Sequence, residues 1–242
     1  MPEETMSSAP LFSDRVDAGE QLAQSLLSHL NELKASGSEA LPIVYALPRG
    51  GIPVAAPVAR QLNCPLDIVV AKKIATAQNP ELAIGAVTSE GQVLWAKQRL
   101  FEKKNSPVLE TPLRQAQEKA QDQLIQFSSG RPKVSPQGAI ALLVDDGIAT
   151  GMTMAAATQA LKAQNPAQIW VCAPVAPPGL MKWLSRWCDR VVILETPDPF
   201  FSVSRFYTQF PQVETEEALV YLQQHNYPLS TDSQTSDALS RG

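Results

Sequence analysis

Sulfur and imidazole are scarce in this chain of 242 residues, which carries three cysteines and two histidines. Cys64, Cys172 and Cys188 form no CxxC pair and leave an odd count. That argues against a zinc site and a disulfide framework, and the thiols read as buried and reduced. Charged residues make up 18% of the chain and the formal net charge is −4. The sequence therefore lacks the basic footprint of broad nucleic-acid or membrane-surface binding. No apolar run approaches the ~18 residues of a membrane span. Met1 to Pro10 has neither the basic start nor the apolar centre of a signal peptide. These absences point to a cytoplasmic protein of small-molecule chemistry, with no nucleic acid or membrane as partner. At 44% hydrophobic residues, the length suits one large α/β domain or two small ones with a substantial core.

The most informative stretch is Ala139-Ile140-Ala141-Leu142-Leu143-Val144-Asp145-Asp146-Gly147-Ile148-Ala149-Thr150-Gly151-Met152-Thr153. Its wholly apolar start reads as a strand buried on both faces, as parallel sheets require. Asp145 and Asp146 fall at that strand's carboxyl end, the edge where open parallel sheets bind ligands. A helix starting just beyond would aim free N–H groups and a positive dipole end at an anion. Gly147 and Gly151 allow close approach of the backbone, and Thr150 and Thr153 add hydroxyl donors. Such a set suits a phosphate on a sugar. A plain strand-to-helix turn would explain the glycines and threonines but not the adjacent carboxylates.

A second strand-loop-helix unit precedes it. Pro42 to Leu47 is apolar, Pro48-Arg49-Gly50-Gly51 follows, and a helical stretch runs to about Leu62. Exposed glycine N–H groups and a forked cation make a second anion site. Pro57 requires that this helix start late or kink. Asp67 to Ala71 reads as a short strand delivering Lys72 and Lys73 to the same edge, where their cations would add to an anion site. Ile74 to Glu81 reads as a polar loop.

The rest supplies the scaffold. A helix capped by Ser13 or Asp14 runs to about Gly37, with His29 on it as a surface or boundary histidine. Leu82 to Thr88 and Gln92 to Trp95 form a hairpin on a sheet edge. Leu109 to Phe127 is a long amphipathic helix. Ile169 to Ala173 and Val191 to Leu194 are buried strands, and a short helix runs from about Thr215 to Gln223. The predicted fold is α/β: an open, mostly parallel five-stranded twisted sheet, order 2-1-3-4-5, with helices on both faces plus an edge β-hairpin. Residues 1–12 read as a flexible leader, 13–227 as the domain and 228–242 as a disordered tail. The aromatic group from Phe200 to Phe210 admits two roles, stacking a flat base or forming a satellite core that pins the loop; the second is favoured.

The central run, Ala46-Leu47-Pro48-Arg49-Gly50-Gly51 and Asn79-Pro80-Glu81-Leu82-Ala83-Ile84-Gly85-Ala86-Val87 together resemble the type I phosphoribosyltransferases, and in particular a group of bacterial predicted members, over roughly Asp14 to Gln224. The resemblance implies transfer of a phosphoribosyl group from phosphoribosyl pyrophosphate to a nitrogen nucleophile, a nucleobase or related amine, with release of pyrophosphate. It implies that Asp145 and Asp146 are catalytic and hold the ribose hydroxyls. Gly147, Ile148, Ala149, Thr150, Gly151, Met152 and Thr153 would hold the 5-phosphate. Arg49, Gly50 and Gly51, with Lys72 and Lys73, would hold the diphosphate. Mg2+ would be bound mainly through the substrate, with no metal site of the protein's own, and Ile74 to Glu81 would be a mobile flap. A homodimer is compatible with it. Purine-salvage members commonly carry a lysine on the strand after the central motif, where this chain has Val171-Cys172-Ala173-Pro174, so a 6-oxopurine acceptor is not implied. Two rivals are a non-catalytic sensor of phosphoribosyl pyrophosphate or a nucleotide, and a receiver-like signalling domain. Receivers, however, place their acids after the first strand and need no Gly/Thr loop.

Overall fold

The apolar runs pair into one parallel sheet in the computed structural model, which describes residues 10–76, 79–96, 107–132 and 134–227. Strands β1 (Pro42–Ala46), β2 (Leu66–Ile68), β6 (Ile140–Val144), β7 (Gln168–Val175) and β8 (Arg190–Glu195) stand in the order β2-β1-β6-β7-β8. That is the expected 2-1-3-4-5 arrangement, with the switch point between β1 and β6. Register fixes the two loops at one height: Ala46 is opposite Val144, and the Leu47 N–H donates to the Val144 carbonyl at 2.9 Å.

Alternation along the strands divides the core in two. Val44, Ala46, Leu142, Val144 and Cys172 pack with α1 (Arg15–Ala35) and α2 (Gly51–Leu62). Tyr45, Leu47, Leu143 and Val171 face the other way, with Met154, Ala157 and Leu161 of α4 (Met152–Lys162) and Leu184 of α5 (Met181–Leu184). Each large apolar side chain so buried contributes roughly 1.5–3 kcal/mol. Asp14 caps α1, its carboxylate accepting from the N–H groups of Val16 and Asp17 at 2.8 and 2.9 Å. Pro57 lies inside α2, which starts at Gly51 and continues past it. Helix α6 (Thr215–Asn226) closes the first face. His29 receives a bond from Arg190 across 3.0 Å, a boundary contact.

The stretch from Leu66 to Thr88 departs from expectation. The strand read at Asp67 to Ala71 is split: β2 ends at Ile68 in the main sheet, and β3 (Ala71–Thr76) belongs to another. With β4 (Asn79–Thr88) and β5 (Val93–Trp95) it forms an antiparallel sheet in the order β3-β4-β5. The expected hairpin is therefore present, with a third strand that makes it a sheet of its own, and α3 (Pro107–Gln126) packs on it through Leu109, Leu113 and Ala116. Most of the polar loop expected at Ile74 to Glu81 is paired strand. Register shifts at Ile74/Ala75 and Ala75/Thr76 break its alternation, which hid it from a periodicity reading. The tip, residues 77–78, lies outside the described residues, as do 1–9 of the leader and the 228–242 tail. The leader ends earlier than expected: Phe12 is 2% exposed, and the N–H groups of Leu11 and Phe12 bond the Phe206 carbonyl. Among the described residues no helix is long and apolar enough to cross a membrane.

Candidate active site

Both loops emerge at the carboxyl ends of adjacent strands, and they touch. A Cβ added to Gly50 would run into the Asp146 carboxylate, and one added to Gly51 would meet the Val144 carbonyl at 2.8 Å. Gly50 has ordinary right-handed angles, φ −58° and ψ −32°, so space rather than backbone conformation demands glycine there.

The acids are held differently. Asp145 Oδ1 accepts from the N–H of Asp146 at 2.9 Å, leaving Oδ2 without a hydrogen bond from any described residue. Burial, with the neighbouring Asp146 charge, pushes the Asp145 carboxyl well above the usual range, opposed by Arg15 and Lys73. Burial also raises Asp146, against the pull of Arg15. Arg15 Nε donates to Asp146 Oδ2 at 2.8 Å. Oδ1 of Asp146 takes no hydrogen bond from a described residue, and the side chain stays 16% exposed. Tyr207 donates its hydroxyl to the Asp146 backbone carbonyl at 2.6 Å.

Beyond the acids, Ile148 does not offer a donor: its N–H bonds the Val175 carbonyl at 2.9 Å and its side chain lies in the core. It anchors a loop whose Ala149 and Thr150 are exposed. Gly151, at φ +75°, turns the chain into α4, whose first capping bond runs from Ala155 to the Gly151 carbonyl. Helix geometry thus leaves the N–H groups of Met152, Thr153 and Met154 pointing outward. The hydroxyls of Thr150 and Thr153 are unbonded among the described residues, and Gly147 lies under Val203, too close for a Cβ.

In the other loop the Gly51 N–H is bonded to the Leu47 carbonyl at 3.0 Å. Gly50 is the glycine whose N–H is unbonded among the described residues. Arg49 turns one nitrogen to α6, donating to the Thr215 hydroxyl at 3.3 Å and lying 3.7 Å from Glu214. Lys72 and Lys73 do not leave a strand end side by side, because both lie within β3, where successive side chains point to opposite faces. Lys72 is half-buried near Arg49 and Lys119, and burial with those cations lowers its ammonium pKa. Lys73 is exposed, and its charge acts on Asp145.

The aromatic stretch proves to be a satellite core. Phe12, Phe206 and Tyr207 are buried together, Phe200 and Phe210 pack on them, and Phe201 stays exposed under the Arg205 guanidinium. The thiols show no activation: burial raises Cys172, Cys64 to about 12 and Cys188 to about 11. Among the described residues no three His, Cys, Asp or Glu side chains cluster to hold a metal.

A parallel sheet with two strand-to-helix loops abutting at its switch point, one of them acidic, defines an open, doubly wound α/β protein. Residues 14–209 match the family described as the phosphoribosyl transferase domain, and the chain belongs to that family. A Mycobacterium tuberculosis protein, named a phosphoribosyl transferase by inference only, is 36% identical over 213 residues, 88% of this chain and 46% of the relative. The chain thus spans about half the length of that curated relative. The crystal structure of TT1426 from Thermus thermophilus is 33% identical, with a TM-score of 0.72, over 88% of this chain and 98% of that one.

Proposed function

We propose that the chain is a phosphoribosyltransferase that binds phosphoribosyl pyrophosphate with magnesium and transfers the phosphoribosyl group to a nitrogen nucleophile, releasing pyrophosphate. The observation that carries this is the contact of Gly50 with Asp146. Because the two loops abut, one small molecule can span them with its sugar between.

In this reading the N–H groups at the start of α4, with Thr150 and Thr153, hold the 5-phosphate. The free oxygens of Asp145 and Asp146 accept the ribose hydroxyls and favour positive charge developing on the ring carbon. Arg49, the Gly50 N–H and Lys73, the exposed lysine whose charge acts on Asp145, face the diphosphate, whose charge grows as the bond to the anomeric carbon breaks. The nitrogen nucleophile forms the new bond there, and its proton leaves to solvent. The free oxygens of the two carboxylates fit a magnesium ion that would arrive on the substrate and keep its waters. When bound it would neutralise diphosphate charge.

The test is calorimetry with phosphoribosyl pyrophosphate and magnesium, followed by a screen of nucleobases and amines for pyrophosphate release. Binding with turnover on one acceptor supports the proposal. Binding without turnover on any acceptor moves the chain to the sensor class, and no binding rejects both.

A further inference from the structure

We propose that Arg15 is a positioning residue for this site: by gripping Oδ2 of Asp146, it keeps Oδ1 presented to the ribose hydroxyls. The inference rests on the phosphoribosyl-binding role proposed above for the acidic loop.

Arg15 is the first residue of α1, 131 positions from its partner. A cation is disfavoured at that end of a helix, where the backbone dipole is positive. It is nevertheless 8% exposed, with two of its nitrogens bonded. Nε reaches Asp146 at 2.8 Å, NH1 donates to the Pro211 carbonyl at 2.7 Å, and the guanidinium lies 3.7 Å from the Phe210 ring centre. Two chain segments, α1 and the Phe210-Pro211 stretch, thus fix the orientation of one carboxylate. Tyr207 fixes the backbone of the same residue from the satellite core, so Asp146 is held at both ends. Fixed geometry of this kind is what a group must have if it is to meet hydroxyls without first paying for its own ordering.

The charged and titratable groups acting on this corner are Asp145 beside Asp146, Arg15 of α1, Lys73 of β3, Tyr207 and Asp14. Arg15 is the one among them that bonds the Asp146 side chain. Its loss leaves a partly buried carboxylate free to turn away or take up a proton.

The test titrates the full chain, with magnesium present, with three probes: phosphoribosyl pyrophosphate, ribose 5-phosphate and inorganic pyrophosphate. Arg15→Met is expected to lose about tenfold or more in affinity for the two ribose-bearing probes. It should keep its affinity for pyrophosphate within about twofold, since that loop is untouched. Arg15→Lys restores part of the loss. Tyr207→Phe keeps the ring and loses only the hydroxyl, with an expected drop of about threefold on the same two probes. If Arg15→Met does not fold, Arg15→Lys and Tyr207→Phe carry the test through the same selectivity. Equal losses on all three probes, or none on any, overturn the inference. Wild-type protein that binds none of the probes instead rejects the phosphoribosyl reading itself.

Discussion

Gly50 and Asp146 lie in contact across the two loops, so close that the smallest side chain at position 50 would collide with the carboxylate. Gly50→Ala therefore acts on the acid rather than on its own backbone, which already has helical angles. The variant should fold with little change in melting temperature and bind phosphoribosyl pyrophosphate about tenfold more weakly, because Asp146 must shift. Calorimetry beside a thermal melt checks both halves. Unchanged affinity would mean that the loop yields without disturbing the acid.

The two acids should respond unequally to neutralisation. Asp145 has a folded-state pKa raised by burial and by Asp146, so ionising it costs more in the folded protein than in the unfolded chain. Its contribution to stability is intact below about pH 4 and is lost as pH rises through the raised value. Asp145→Asn, which keeps an acceptor for the Asp146 N–H, should raise the melting temperature of the ligand-free protein at pH 7 by about 2–4 °C. The gain should vanish near pH 4. Asp146→Asn should gain less, because neutralising it also gives up the charged bond from Arg15 that opposes the effect of burial. Melts of both variants across pH decide the matter. Both should weaken binding of ribose-bearing ligands.

Away from the site, Arg131 grips Asp67 with two bonds, Nε to Oδ1 at 2.6 Å and NH2 to Oδ2 at 2.9 Å. The Asp67 side chain is 4% exposed and that of Arg131 33%. Arg131→Met should cost about 3 kcal/mol in urea unfolding, since it strands a buried carboxylate on β2. A loss under about 1 kcal/mol would show that solvent replaces the guanidinium.

Gly151 combines positive φ with contact: a Cβ there would stand 2.7 Å from the Trp183 ring. Gly151→Ala should destabilise by about 1–2 kcal/mol from the backbone alone. It should also shift tryptophan emission, and 5-phosphate affinity should fall with it. Emission identical to wild type would place Trp183 elsewhere in solution.

How much of this was legible beforehand follows from where each signal resides. Strands β1, β6 and β7 are buried on both faces, and each therefore appears as an apolar run that cannot be mistaken for a solvated turn. The acidic and Arg-Gly-Gly loops were legible because all their residue types are local. Arg15 and Tyr207 were not, since their partner lies 131 and 61 residues away. The one available hint was an arginine at the unfavourable end of a helix, which implies a carboxylate nearby. The switch between sheets at Val69 and Val70 was equally hidden. Two short β-branched runs read alike whichever sheet they join, and Lys72 and Lys73 then fall on opposite faces of a strand instead of together at its end.

The most direct test of a shared guest is competition calorimetry on the wild-type chain with magnesium. Phosphoribosyl pyrophosphate should bind more tightly than ribose 5-phosphate or pyrophosphate alone, and saturating it should abolish the heat of both fragments. Either fragment binding undiminished to the saturated protein would contradict the account.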